Sequence, residues 1–136
     1  MFNSQIKKEL AVSQQRFADC EATLAALGGS MALIEFQPDG TILGANSNFL
    51  RVIGYRLEEI HSRHHRLFCT PKYANSVAYQ GFWSRLGNGE SINDRYLRLN
   101  KQEHEIWQEA SYNPVRDASE RVIKVVKIAA DVNARV

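Results

Sequence analysis

Three of the chain's four histidines, one of its two cysteines and one of its two tryptophans fall within "GYRLEEIHSRHHRLFCTPKYANSVAYQGFW", residues 54 to 83. Imidazole and thiol groups ligate metals, carry protons and act as nucleophiles near neutral pH, so the spacing has to decide among those chemistries. On a helix, His61 could share a face with His64 or His65 and offer a two-ligand metal contact. No HExxH signature accompanies them, and a third ligand from Cys69 or an acidic residue has no spacing rule behind it. A polar, solvated surface is the expectation for these histidines, with no metal. A thiolate–imidazole pair needs an oxyanion hole and an orienting third group, and neither is signalled. Cys69 therefore reads as a small buried hydrophobe, and the chain as a protein without enzymatic activity.

Composition limits what can position these residues. A chain of 136 residues, 44% apolar and 24% charged, suits one domain with a real core. The net charge of +2 is spread along the sequence, so no basic stripe points to nucleic acid. Cys20 and Cys69 lack CxxC spacing, which argues against a zinc knuckle or disulfide framework. No run approaches the roughly 18 apolar residues of a membrane span, and "MFNSQIKKEL" has no apolar signal core. A soluble, cytoplasmic protein is expected.

The first 28 residues carry a heptad seam of Asn3, Ile6, Leu10, Ser13, Phe17, Cys20, Leu24 and Leu27, among good helix formers and before the stop "GGS". This predicts a long amphipathic helix that either dimerises through Ile6, Leu10, Phe17, Leu24 and Leu27 or lies on its own domain. The period then becomes that of strands. "MALIEF", "QPDG" and "TILGAN" predict a hairpin, "NSNFLRVIGY" a short helix capped by Asn46 or Ser47, and "RLEEI" another turn. A helix is predicted over 74 to 87, followed by strands in 91–100, 104–115 and 121–132.

That order, together with "FQPDGTILGANSNFLRVIGYRLEEI", the "FW" to "NGE" segment, "EIWQEASYNPVRD" and "VVKIAADVN", resembles the PAS domain family. The resemblance implies an α+β fold: a five-stranded antiparallel sheet of order 2-1-5-4-3 with short helices over one face, here with a long N-terminal helix. It implies a helix over 1–28, a sensor domain over 29–133 and an output linker starting at 134–136. "HHRLFCTPKYANSVAY", "GFWSRLGNGE" and "ASYNPVRDASERVIKVVKIAADV" further resemble PAS modules at the N-terminus of soluble bacterial chemoreceptors, of the biofilm-dispersion and aerotaxis types. This closer resemblance implies a sensory input domain, a homodimer, and a chemoreceptor signalling domain downstream. A cofactor-free interaction module of a kinase or cyclase is the alternative.

For the pocket, the resemblance points to Asn46, Asn48, Phe68, Trp83, Ile106 and Tyr112 as cofactor-binding candidates. A flavin such as FAD, haem, or no cofactor are all carried forward. Cys69 stands in "LFCTP" rather than the asparagine-cysteine-arginine-phenylalanine motif of light-sensing members, so photoadduct chemistry is not expected. The aerotaxis type has arginine and histidine where this chain has Cys69 and Thr70. Haem would need His64 or His65 turned inward. Residues 55–83 are expected to form a lid of short helices with Leu67, Phe68 and Phe82 inward and His61 exposed. Trp107 is expected on the sheet face opposite Ile106, Ala110 and Tyr112.

Overall fold

The computed structural model describes residues 2–27 and 31–131; within the first helix it describes the side chains of residues 3–9, 11, 12, 15, 22, 23 and 26. The chain forms two compact units, helix α1 (Phe2–Leu27) and the domain that begins at Met31. On α1, Ile6 is exposed. The other seam side chains proposed for dimerisation, Leu10, Phe17, Leu24 and Leu27, lie outside the described residues, as does the linker at 134–136.

From Met31 the elements are β1 (Ala32–Phe36), β2 (Ile42–Ala45), α2 (Ser47–Ile53), α3 (Leu57–Ile60), a 3-10 turn (His65–Phe68), α4 (Pro71–Ala74), α5 (Val77–Gly87), β3 (Ile92–Leu99), β4 (Glu105–Arg116) and β5 (Val122–Asp131). The strands form one antiparallel sheet in the order β2-β1-β5-β4-β3, as expected. Side chains alternate between its faces. On β4 the inward set is Ile106, Gln108, Ala110 and Tyr112, all buried, while Trp107 is on the other face. On β3 and β5 the same alternation turns Arg98 and Lys127 inward beside Ile92, Val125 and Ala129.

The helical segment breaks into short pieces because polar side chains keep restarting it. Asn46 caps α2 by accepting the Phe49 N–H, and Gly54 ends it in the left-handed region at φ 81°. Thr70 accepts from Tyr73 ahead of Pro71 at the start of α4, and Ser76 accepts from Tyr79 at the start of α5. The helix expected over 74–87 starts at Val77 after its Ser76 cap and ends at Gly87, while Ala74 belongs to the separate α4. Phe68 and Phe82 are buried and Leu67 is half-buried, as the lid reading requires, and His61 is exposed. Trp83 is buried beside Phe82.

Candidate functional site: a buried histidine between two tyrosines

His65 is not on a solvated surface as the sequence reading expected; its relative exposure is 0%. The backbone before it runs along the hairpin and carries it inward. Ile42 N–H donates to Arg63 O at 2.8 Å, Ser62 N–H to Ile42 O at 3.0 Å and His65 N–H to Gly40 O at 2.9 Å. His64 locks the same turn: its Nδ1 accepts the Arg66 N–H at 3.0 Å, so its Nε2–H donates to Asp39 O at 2.8 Å. Gly40 has φ 98°, and a Cβ there would stand 2.6 Å from His64 Nε2 and 2.9 Å from Trp83 Cε2. Only glycine supplies both the backbone shape and the space.

Inside, the imidazole bridges lid and sheet. Nδ1 is 2.6 Å from the Tyr79 hydroxyl on α5, and Nε2 is 2.9 Å from the Tyr112 hydroxyl on β4. Tyr112 also accepts from Arg98 Nη2 at 3.2 Å, which extends the string to β3. A neutral imidazole has one donor and one acceptor, so either tautomer satisfies both hydroxyls. Cys69 Sγ lies 3.7 Å from Nδ1. Rings close around the string. The His65 centroid is 5.4 Å from Trp83, 5.7 Å from Tyr112 and 5.9 Å from Phe68, and Phe82 is 4.8 Å from Tyr112.

Burial sets the protonation. It pushes His65 well below the ordinary imidazole value, with the Arg98 and Lys127 charges adding to the effect. Burial also raises the Cys69 thiol, and it lifts Tyr112 to about 12 despite the opposing charge of Arg98. Lys127 is held well below the usual lysine range, by burial first and then by Arg98. At neutral pH the string is thus a neutral imidazole between two neutral phenols, with a cationic guanidinium at one end. It holds and relays hydrogen bonds; a protonated thiol beside it is no nucleophile.

Of the sequence-based pocket candidates, Phe68, Trp83 and Tyr112 meet around His65, and Ile106 faces the same interior. Asn46 and Asn48 do not join them. Asn46 Oδ1 accepts from Leu33 N and Phe49 N, its Nδ2 donates to Met31 O, and Asn48 Nδ2 also donates to Met31 O; both brace α2 against the start of β1. The sequence reading missed His65 as the centre, and with it Tyr79, Arg98, Gln108 and Lys127. The two-residue strand period, which puts Arg98 on the same face as Ile92 and Lys127 on the same face as Ala129, carried that signal.

The fit to a cofactor follows from these contacts. A haem iron needs a free imidazole nitrogen, and both nitrogens of His64 and of His65 are engaged. A flavin needs a flat slot between lid and sheet, where Phe36, His65, Phe82, Trp83 and Tyr112 instead touch ring to ring. Either group would need these contacts to open. A cleft of about 350 Å³ opens beside the string, lined by His64, Arg66, Ala74, Asn75, Tyr79, Gln80 and Trp83. Among the described residues no three His, Cys, Asp or Glu side chains are grouped to hold a metal, and no helix is long and apolar enough to cross a membrane.

A family model described as the PAS fold matches residues 42–129. The chain belongs to the PAS family. It is 49% identical over 111 residues to the biofilm dispersion protein BdlA of Pseudomonas aeruginosa PAO1; the match covers 82% of this chain and 27% of BdlA, so the chain spans about a quarter of that relative. Among solved structures it resembles an RNA-binding light-oxygen-voltage receptor, with TM-score 0.72, 25% identity, and 89% of this chain and 35% of that one covered. It also resembles a light-oxygen-voltage domain studied with a flavin analogue, with TM-score 0.70, 21% identity and 85% and 87% covered. A third likeness is to a PAS domain from Colwellia psychrerythraea, with TM-score 0.69, 16% identity and 84% and 98% covered.

The His65 shift has a sign that can be tested. The unfolded chain takes up a proton near pH 6.5 and the folded chain only well below that, so between those values the unfolded state binds more protons and stability falls as pH falls. By pH 5 His65 should cost up to about 2 kcal/mol relative to pH 7. Urea unfolding across that range should show the loss in the native chain, and the His65→Phe variant, whatever its absolute stability, should show a slope shallower by that amount. Equal slopes would contradict a neutral buried His65.

Proposed function

We propose that this chain is a sensory input domain of a cytoplasmic chemoreceptor-type protein. It has no catalysis of its own, and it passes a small-molecule or redox-linked signal to an output domain C-terminal to the PAS fold. The observation that carries the reading is the Tyr79–His65–Tyr112–Arg98 string, which ties the lid to the sheet in a chain so similar to BdlA. A change at the lid that disturbs Tyr79 is felt through one imidazole by β4 and β3. The sheet leads on through β5 to the C-terminal side. The light-oxygen-voltage neighbours support a flavin in this family of folds, but the packed interior here favours a signal that does not require one.

A chimera tests the reading. With residues of this chain in place of the matching segment of BdlA, biofilm dispersion in Pseudomonas aeruginosa should be retained, and Tyr112→Phe should reduce it several-fold while the protein still accumulates. A folded chimera that never responds, or one that responds equally with Tyr112→Phe, would sink the proposed role.

The dense interior also favours a second reading, a cofactor-free dimerisation module of a kinase or cyclase. Both readings include a homodimer through α1. Sedimentation should show a dimer that becomes a folded monomer when residues 1–27 are removed; a full-length monomer at high micromolar concentration would end that part.

A further inference from the structure

Among the described residues, two basic side chains, Arg98 and Lys127, stand in the interior without a carboxylate partner. Arg98 is 2% exposed and Lys127 is 1% exposed. Arg98 Nη1 donates to Leu97 O at 3.0 Å and Nη2 to the Tyr112 hydroxyl at 3.2 Å, while the buried Nε–H meets no acceptor among the described residues. Lys127 Nζ donates to Gln108 Oε1 at 2.7 Å. Aromatic faces surround both: the Arg98 guanidinium is 4.6 Å from the Tyr96 ring and 5.8 Å from Tyr73, and Lys127 Nζ is 5.3 Å from Tyr112. The ion pairs of the described residues are on or near the surface, Arg85 with Glu90 and Lys101 with Glu59 among them, and none includes Arg98 or Lys127.

Buried charges in proteins are paired, because stripping water from an ion costs more than neutral hydrogen bonds return. Burial holds Lys127 well below the usual lysine range, and its Nζ still donates to Gln108. Arg98 keeps its charge, since a guanidinium stays protonated in proteins. Cation–π contacts offset part of the cost and leave the Nε–H unused. The acceptor that matches a guanidinium edge is a carboxylate, whose two oxygens take two parallel N–H bonds.

We propose that a small organic carboxylate with an apolar or aromatic body completes this interior, one oxygen accepting the Arg98 Nε–H and its body taking the place of the Tyr73 ring beside Tyr96. The inference rests on the domain being a sensor and names the class of its signal. Access runs past Tyr73, which is half-buried. Tyr73 covers the guanidinium and meets Tyr79, a wall of the 350 Å³ cleft, ring to ring at 5.1 Å. Occupancy would displace Tyr73, press on Tyr79 and so reach His65.

The test uses the 136-residue chain with benzoate and acetate, each against its neutral amide, benzamide or acetamide. Arginine Nε–H resonances report directly, with Arg98 assigned by its disappearance in Arg98→Lys. Benzoate at about 10 mM should shift the Arg98 Nε–H signal saturably and raise Tm by about 3 °C or more, with benzamide doing neither. Arg98→Lys should lose the Tm response and the exposed-site variant Arg95→Lys should keep it. If Arg98→Lys does not fold, the Arg98 Nε–H signal is assigned in the native chain by through-bond correlation to its own side chain and backbone, and its shift decides. Amides acting as strongly as the acids, or no shift with either acid, would overturn the carboxylate. A domain that ignores both acids yet signals in the BdlA chimera loses this ligand class and remains a sensor.

Discussion

A neutral imidazole at the centre of a core must find one donor and one acceptor there, because an unmet buried polar atom costs about 1–3 kcal/mol. His65 finds both in tyrosine hydroxyls carried by different elements, α5 and β4. That requirement fixes how the lid sits on the sheet. The turn that brings His65 inward depends on Gly40 and on His64 bonding across to Asp39. Tyr112, held at its position by β3 and β5 on either side, also takes the Arg98 guanidinium. Packing alone would allow aromatic rings to settle in several ways; a three-point hydrogen-bonded string allows one.

An apolar core of the same volume would often be as stable or more so, so a polar string of this kind gains specificity rather than strength. Its bonds strengthen one another in low dielectric, and losing one leaves the others poorly satisfied. This makes the lid's attachment cooperative. It also concentrates lid–sheet communication in few atoms, which is what a sensor needs: a small displacement at Tyr79 is converted into a discrete change at Tyr112. The short helices add little of their own, since α3 and α4 have four residues each and depend on caps such as Thr70.

The architecture was legible because hydrophobic period, turn residues and caps agreed from Met31 onward, and strand boundaries fell within one or two residues of the pattern. The site was legible only in part. Phe68, Trp83, Ile106 and Tyr112 could be placed inward because they are apolar or aromatic. His65 could not, because a histidine in "SRHHR" between arginines looks solvated, and only the hairpin's bonds to residues 62–65 turn it inward. Arg98 and Lys127 sat at inward positions of their strands, but their charge argued against burial. Asn46 is a polar residue near the core whose side chain bonds local backbone, as its capping pattern indicated, and Asn48 bonds Met31 O and the Arg51 side chain.

If the string is what fastens the lid, local opening of residues 64–83 should be its most direct readout. Hydrogen exchange should find lid amides opening more readily than those of β4 and β5 in the native chain. Tyr112→Phe should speed lid exchange by about fivefold or more, with a smaller change at residues 105–116, the factor expected from about 1 kcal/mol of lost attachment. A lid already as protected as the strands, or equal acceleration of lid and strands in the variant, would contradict a lid held to the sheet through His65.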